Sequence, residues 1–284
     1  MTSTASGPPG LARILWQLIT GRRTVEHSGA LLNVFLGLPA PLRDAVRWVL
    51  RPKRRFLFGR LRALSRDRVL SGPFAGMQLT GMPAAPELLG TYERELFDVV
   101  LELASRPWRT LINVGARYGY YAVGMARLMP AVTVKAYEWS DEARAQLASA
   151  VQSNGVQGRV TVAGYCDAAD LAADLDIDGG ALIVCDIDGG EITLLDPQRV
   201  RALTRATILV ECHGPAESPT EAVMVHRFLP THDVRRIAVE ARVLSQLPAG
   251  IAEPWRARMP RTLEALMQEH RTPPQSWLLL TPRG

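Results

Sequence analysis

The stretch Thr110–Met125, TLINVGARYGYYAVGM, decides how the rest of the 284-residue chain is read. It opens as a short apolar strand on Leu111, Ile112 and Val114, turns over Gly115 to Gly119, and enters a helix. Glycine serves two ends in such a turn. It permits a sharp bend where a Cβ would clash, and it lets backbone N–H groups close on a ligand. The spacing is G-x-x-x-G, and Arg117 stands where the G-x-G-x-x-G dinucleotide fingerprint requires its second glycine.

Downstream, strands and helices alternate. A second strand, Thr133–Tyr137, ends on Glu138. Ser140 caps a helix to about Ser153, with Asp141 and Glu142 in its first turn and Asn154-Gly155 as its stop. A third strand, Arg159–Val162, leads to Asp167 and an alanine-rich helix. The fourth, Ala181–Cys185, runs into Asp186 and Asp188, and the fifth, Thr207–Val210, into Glu211 and His213. Ser218 to Glu221 form a capping box with proline at the first helical position. Strands at Val234–Val239 and Ser276–Leu280, with a helix at Leu263–Glu269 between them, end the chain.

Continuous apolar strands alternating with helices predict a Rossmann-like α/β fold, a mostly parallel sheet covered by helices on both faces. Such sheets bind ligands outside the carboxyl ends of their strands, where the strand order reverses. Asn113, Glu138, Asp167, Asp186, Asp188, Glu211 and His213 all fall at strand ends, and a purely structural role gives no reason for that clustering. Glu138 is placed to accept hydrogen bonds from a ribose diol, or else to cap the next helix. Asp167 suits an exocyclic amine of adenine, or else caps the alanine-rich helix.

Upstream, residues 1–10 are small, polar and rich in proline and glycine, the composition of a disordered end. Helical patterns follow at Leu11–Ile19, Leu31–Phe35, Pro41–Leu50 and Phe56–Arg66, with the RPKRRF cluster (Arg51–Phe56) breaking the last two. Val69–Leu70 and Met77–Leu79 read as a β-hairpin. The expected organisation is a basic, helical N-terminal segment over 1–67 and a catalytic domain over 68–284. Glu87–Ser105 reads as an amphipathic helix, or a turn and a helix, with Leu96, Val99, Val100 and Leu103 on one stripe and acidic residues opposite.

Charge is uneven. Residues 1–80 hold 13 Lys and Arg against 3 Asp and Glu, whereas residues 81–284 hold 20 against 25. A basic front on an acidic body admits an anionic partner such as RNA or a membrane surface, or is simply a solvated helical face. Three cysteines in a chain of this length do not make a disulfide framework. With no convincing signal peptide and no apolar run near the roughly 20 residues of a membrane span, a cytoplasmic protein is expected.

INVGARYGYYAVGMA resembles the first motif of class I S-adenosylmethionine (SAM) dependent methyltransferases, and VKAYEWSDEARAQLASAVQSNGV resembles their second strand and helix. ALIVCDIDGGEITLL and TILVECHG are similar to the K-x-D-x-E-G-x-E and E-x-H stretches of the FkbM-like O-methyltransferases. The resemblance covers about residues 87–240. It implies a seven-stranded sheet whose last strand is antiparallel, SAM as cofactor, and a hydroxyl of a small molecule or sugar as acceptor. It implies a SAM site made of Asn113, Gly115, Arg117, Tyr118, Gly119, Glu138, Trp139, Asp167 and Asp186. This sequence departs from the pattern at Asn113, where an acidic residue is usual, at Cys185 in place of lysine, and at Asp188 in place of glutamate.

Methyl transfer is an in-line displacement, so the protein mainly positions the reactants and disposes of the acceptor's proton. His213 is the expected base, with Glu211 orienting it or the acceptor and Asp186 facing the methyl group and the SAM amino group. No metal is required by this scheme. As an alternative, Asp186, Asp188, Glu191, Glu211 and His213 could converge on Mg²⁺ or Mn²⁺, while Cys166, Cys185 and Cys212 lack the close spacing of a zinc site. The rival readings are an RNA methyltransferase using the basic segment, a nicotinamide-dependent oxidoreductase, and a non-catalytic SAM-binding scaffold.

Overall fold

The computed structural model describes residues 52–175, 180–213, 219–253, 255–269 and 275–283. The expected helices before Pro52 and the cap residue Ser218 lie outside them. Two compact units divide the described chain, one of residues 52–64 with 252–266, the other of 65–251 with 267–283.

In the first unit, helix α1 spans Pro52–Ser65. Residues Pro52 to Phe56 of the RPKRRF cluster are helical, so the helix expected from Phe56 begins earlier. Pro52 is tolerated in a first turn, because the N–H it lacks would have no intrahelical partner there. Arg54 Nη2 donates to the carbonyl of Ala265 at 2.6 Å.

The second unit holds the sheet. Its expected leading hairpin shrinks to a single antiparallel bridge between Arg68 and Gln78. The amphipathic segment is a turn and a helix: α2 (Ala85–Leu89), a left-handed Gly90, a 3₁₀ turn at Arg94–Leu96, and α3 (Phe97–Ala104). A Cβ at Gly90 would lie 1.9 Å from the Ser71 carbonyl oxygen, so this position must be glycine. Leu96, Val99, Val100 and Leu103 are buried as the stripe predicts. Glu87 and Glu93 are buried too, contrary to a polar outer face; the phenols of Tyr118 and Tyr121 hydrogen-bond them.

The remaining elements are β1 (Thr110–Val114), α4 (Tyr120–Leu128), β2 (Thr133–Tyr137), α5 (Asp141–Ser153), β3 (Val160–Ala163), α6 (Ala168–Leu175), β4 (Ala181–Cys185), the short α7 (Glu191–Leu194), β5 (Thr207–Cys212), α8 (Pro219–Phe228), β6 (His232–Ala238), α9 (Trp255–Arg258), α10 (Pro260–Met267) and β7 (Ser276–Pro282). Of these, α9 and most of α10 belong to the first unit.

Seven strands form one sheet in the order β3-β2-β1-β4-β5-β7-β6. The pairs from β3 to β5 are parallel, and β7 runs antiparallel between β5 and β6. This is the Rossmann-like, mostly parallel, seven-stranded sheet that the sequence predicts, with its last strand antiparallel. The chain starts in the middle at β1, winds out to β3, and crosses back to β4. The order therefore reverses between β1 and β4, and the crevice at their carboxyl ends is the topological switch point. One face of the sheet packs Ile112, Val114, Ile183, Cys185, Ile208, Val210 and Cys212 into a continuous apolar core.

Among the described residues, no helix is long and apolar enough to cross a membrane.

Candidate functional site

At the switch point, the backbone allows glycine and nothing larger. Gly115 has φ +79°, and a Cβ there would lie 1.7 Å from the carbonyl oxygen of Asp186. The turn that leaves β1 is thus pressed onto the chain that leaves β4. Gly119, at φ +97°, precedes α4, and a Cβ there would meet Leu147 Cδ1 at 2.6 Å. Between them Arg117 adopts a left-handed φ of +49° without being glycine. Its guanidinium carbon lies 4.7 Å from the Tyr118 ring centroid, a cation–π contact.

Glu138 ties this turn to the end of β2. One carboxylate oxygen accepts the Arg117 N–H at 2.8 Å, and the other accepts the Ser140 N–H at 2.8 Å. Each oxygen keeps a second lone pair, so binding the backbone does not exhaust Glu138 as an acceptor. Ser140 is itself the N-cap of α5, accepting from Ala143 at 3.4 Å. Trp139, next to Glu138, is 77% exposed, an unusual position for a large ring.

Asn113 lies on the strand that feeds the turn and is buried. Its Nδ2 donates to the Val184 carbonyl at 3.2 Å, whereas its Oδ1 has no hydrogen-bond partner among the described residues. A buried acceptor left unpaired costs about 1–3 kcal/mol. Asp167, by contrast, behaves as the N-cap of α6: one oxygen accepts the N–H groups of Ala169 and Asp170 at 2.8 and 2.9 Å. The Asp170 backbone bond leads the causes that hold its carboxyl below the usual range.

The acid cluster sits on the other side of the switch point, from the ends of β4 and β5. Nε2 of His213 lies 3.3 Å from Asp186 Oδ1, 3.3 Å from Asp188 Oδ1 and 3.4 Å from Glu211 Oε2. Nδ1 faces Glu191 Oε1 at 3.2 Å. Glu211 belongs to β5 itself, one residue beyond the expected strand end, and is paired opposite Trp277 of β7. Alternation along β5 points Glu211 away from the core face that receives Val210 and Cys212.

Burial opposes the charge on His213, but the carboxylates of Glu191 and Glu211 outweigh it and push its pKa up to about 10. Asp186 is raised well above the usual carboxylate range, first by burial and then by the neighbouring Glu211 charge. For Glu191, burial is overcome by hydrogen bonds from His213 and from the Ile187 and Gly189 N–H groups, which hold it low.

Glu191, expected only as a possible ligand of a divalent cation, is fully buried and faces His213 Nδ1. The three cysteines are buried thiols, and burial raises the pKa of Cys166 and Cys212 to about 12. Burial disfavours the thiolate form that a nucleophile or a zinc ligand needs.

No protein-family model and no curated protein matches the chain. Solved structures with a similar course include those of methyltransferases. A precorrin-6Y C5,15-methyltransferase from Geobacter metallireducens is 13% identical, with 66% of this chain and 86% of that one covered and a TM-score of 0.44. The O-methyltransferase TomG from Streptomyces achromogenes, in complex with SAM, is 16% identical over 72% and 92% of the two chains, with a TM-score of 0.41. A SAM-dependent methyltransferase from Geobacter sulfurreducens, bound to S-adenosylhomocysteine, is 17% identical over 67% and 91%, with a TM-score of 0.41.

Proposed function

We propose that this chain is a SAM-dependent methyltransferase whose acceptor is a hydroxyl on a small molecule or sugar, as the FkbM-like resemblance implies. The observation that carries the reading is the switch-point crevice. A glycine turn closed on the Asp186 backbone, the Glu138 carboxylate, and the unpaired Asn113 Oδ1 all lie at the carboxyl ends of β1, β2 and β4. The residues fit the cofactor chemically. Asn113 Oδ1 is an acceptor for an ammonium group, Glu138 for a ribose diol, and Trp139 offers a flat apolar face for a base. Gly115 to Gly119 supply the close backbone approach, and Asp167 has its second carboxylate oxygen for an exocyclic amine.

SAM supplies an electrophilic methyl group on a sulfonium. The chain's own task is to hold the acceptor oxygen in line and to lower the cost of removing its proton. Asp186 and Glu211, at adjacent strand ends, line the place for that oxygen, and His213 balances their charge. Mass spectrometry of cell extract treated with the protein and isotope-labelled SAM identifies the acceptor. A labelled product bearing a methyl ether supports the reading, and label on nitrogen or carbon alone refutes O-methylation.

RNA is the second reading, favoured by the exposed Lys53, Arg55, Arg60, Arg66 and Arg68. Its test is filter binding of RNA at rising salt. A steep fall in affinity supports phosphate tracking, and a flat response rules it out.

A further inference from the structure

The groups around His213 are spaced for a metal ion. A charge-assisted N–H···O bond spans about 2.7–2.9 Å. All three contacts at Nε2 are longer, at 3.3 to 3.4 Å, and come from three different side chains. One N–H points in one direction and cannot serve three acceptors. Donor atoms held about 2.1 Å from a shared cation, in tetrahedral or octahedral order, lie about 3.0–3.4 Å apart. The observed separations match that spacing, and the ligand atoms of Asp186, Glu211 and His213 all lie within 4.8 Å of one another.

The surroundings support it independently. Metal-bound imidazoles usually have their other ring nitrogen hydrogen-bonded to a carboxylate, which fixes the tautomer and the ring plane. Glu191 does this to Nδ1, and is held in turn by the Ile187 and Gly189 N–H groups at 3.1 and 3.3 Å. Its other oxygen, Oε2, is buried with no hydrogen-bond partner among the described residues. That leaves it as an acceptor for a further ligand of the ion.

We propose that Asp186, Glu211 and His213 bind one divalent cation of Mg²⁺ or Mn²⁺ size, with Asp188 as an outer donor and Glu191 as the residue that positions His213. Carboxylate oxygens select hard cations, and the imidazole nitrogen favours Mn²⁺ over Mg²⁺. Too few protein donors converge for the six to eight oxygens that Ca²⁺ takes. Cys185 and Cys212 face the core, so no thiolate is available to select zinc. In the crevice such a cation lowers the pKa of a bound hydroxyl. That catalytic role rests on the methyltransferase reading, but binding of the ion does not.

The experiment is a titration of the full chain with Mn²⁺ alone, following loss of the free-ion EPR signal, and repeated with SAM present. One Mn²⁺ per chain is expected without SAM. Glu211→Gln is expected to weaken it at least 100-fold, and Glu191→Gln about 10- to 100-fold by releasing His213. Absence of binding, or equal binding by wild type and Glu211→Gln, overturns the site. If Glu211→Gln does not fold by circular dichroism, the wild type decides. Broadening of the His213 imidazole NMR signals by Mn²⁺ supports the site, and sharp His213 signals in the Mn²⁺-loaded protein overturn it. Mn²⁺ binding with no SAM binding would sink the cofactor reading and leave the metal site standing.

Discussion

Gly115→Ala is the sharpest test of how the crevice is built, because its cost separates into two parts. The first is conformational. A non-glycine residue in the left-handed region costs about 1–2 kcal/mol, and Gly115 sits at φ +79°. The second is steric. The new Cβ would lie 1.7 Å from the Asp186 carbonyl oxygen, a backbone atom that cannot swing aside as a side chain would. β1 and β4 are hydrogen-bonded in register up to Val114 and Cys185, so the two strand ends must part to make room. That adds at least about 1–3 kcal/mol, the usual cost of overpacking. Gly155→Ala is the internal control, since Gly155 has φ +68° and nothing within 4 Å of its would-be Cβ. It carries the first cost without the second. At about 2–4 °C per kcal/mol for a chain of this size, Gly155→Ala lowers Tm by roughly 2–8 °C and leaves SAM affinity unchanged. Gly115→Ala lowers Tm by at least roughly 2–12 °C more and abolishes SAM binding. Differential scanning fluorimetry and calorimetric titration read both. Equal Tm and equal SAM affinity in the two variants would refute the claim that the turn is pressed onto Asp186.

Three further outcomes follow from the site and its surroundings. Glu138→Gln loses the charge that accepts from Arg117, Ser140 and a ribose diol, and is expected to weaken SAM binding about 10-fold, the scale of one charge-assisted hydrogen bond; calorimetry checks it. His213→Ala is expected to leave SAM affinity within about twofold and to lower turnover about 100-fold or more, measured by transfer of labelled methyl. His232 is buried, and burial lowers its pKa below 6.5 against the hydrogen bond to the Ala206 carbonyl, with Asp233 and Arg283 acting on it in opposite senses. Because the unfolded chain protonates this histidine first, its contribution to stability is complete above about pH 6.5 and is lost as pH falls below it. His232→Gln should therefore flatten the wild-type loss of Tm between pH 7 and 5, and parallel curves would refute it.

The sheet was legible because each strand is a short apolar run bounded by punctuation: Thr133–Tyr137 and Ala181–Cys185 match the structure residue for residue. Helix α5 was legible for the same reason, with Ser140 before it and Gly155 after it. What escaped were features set by tertiary contact. Glu87 and Glu93 read as a solvated face because nothing in their spacing shows that Tyr118 and Tyr121 reach them. The helix expected from Phe56 already begins by Pro52, because the basic run before it is itself helical. The candidate site was legible as a set of strand ends, but the pairing of His213 with Glu191 was not. Glu191 is 22 positions away, and only the fold brings it to Nδ1.

Calorimetric titration with SAM, set against NAD under the same conditions, tests the central claim most directly. The geometry predicts one SAM per chain, with affinity reduced by Glu138→Gln, and no heat from NAD, since Arg117 fills the place of the second fingerprint glycine. No heat from SAM, or binding of NAD in its place, would contradict it.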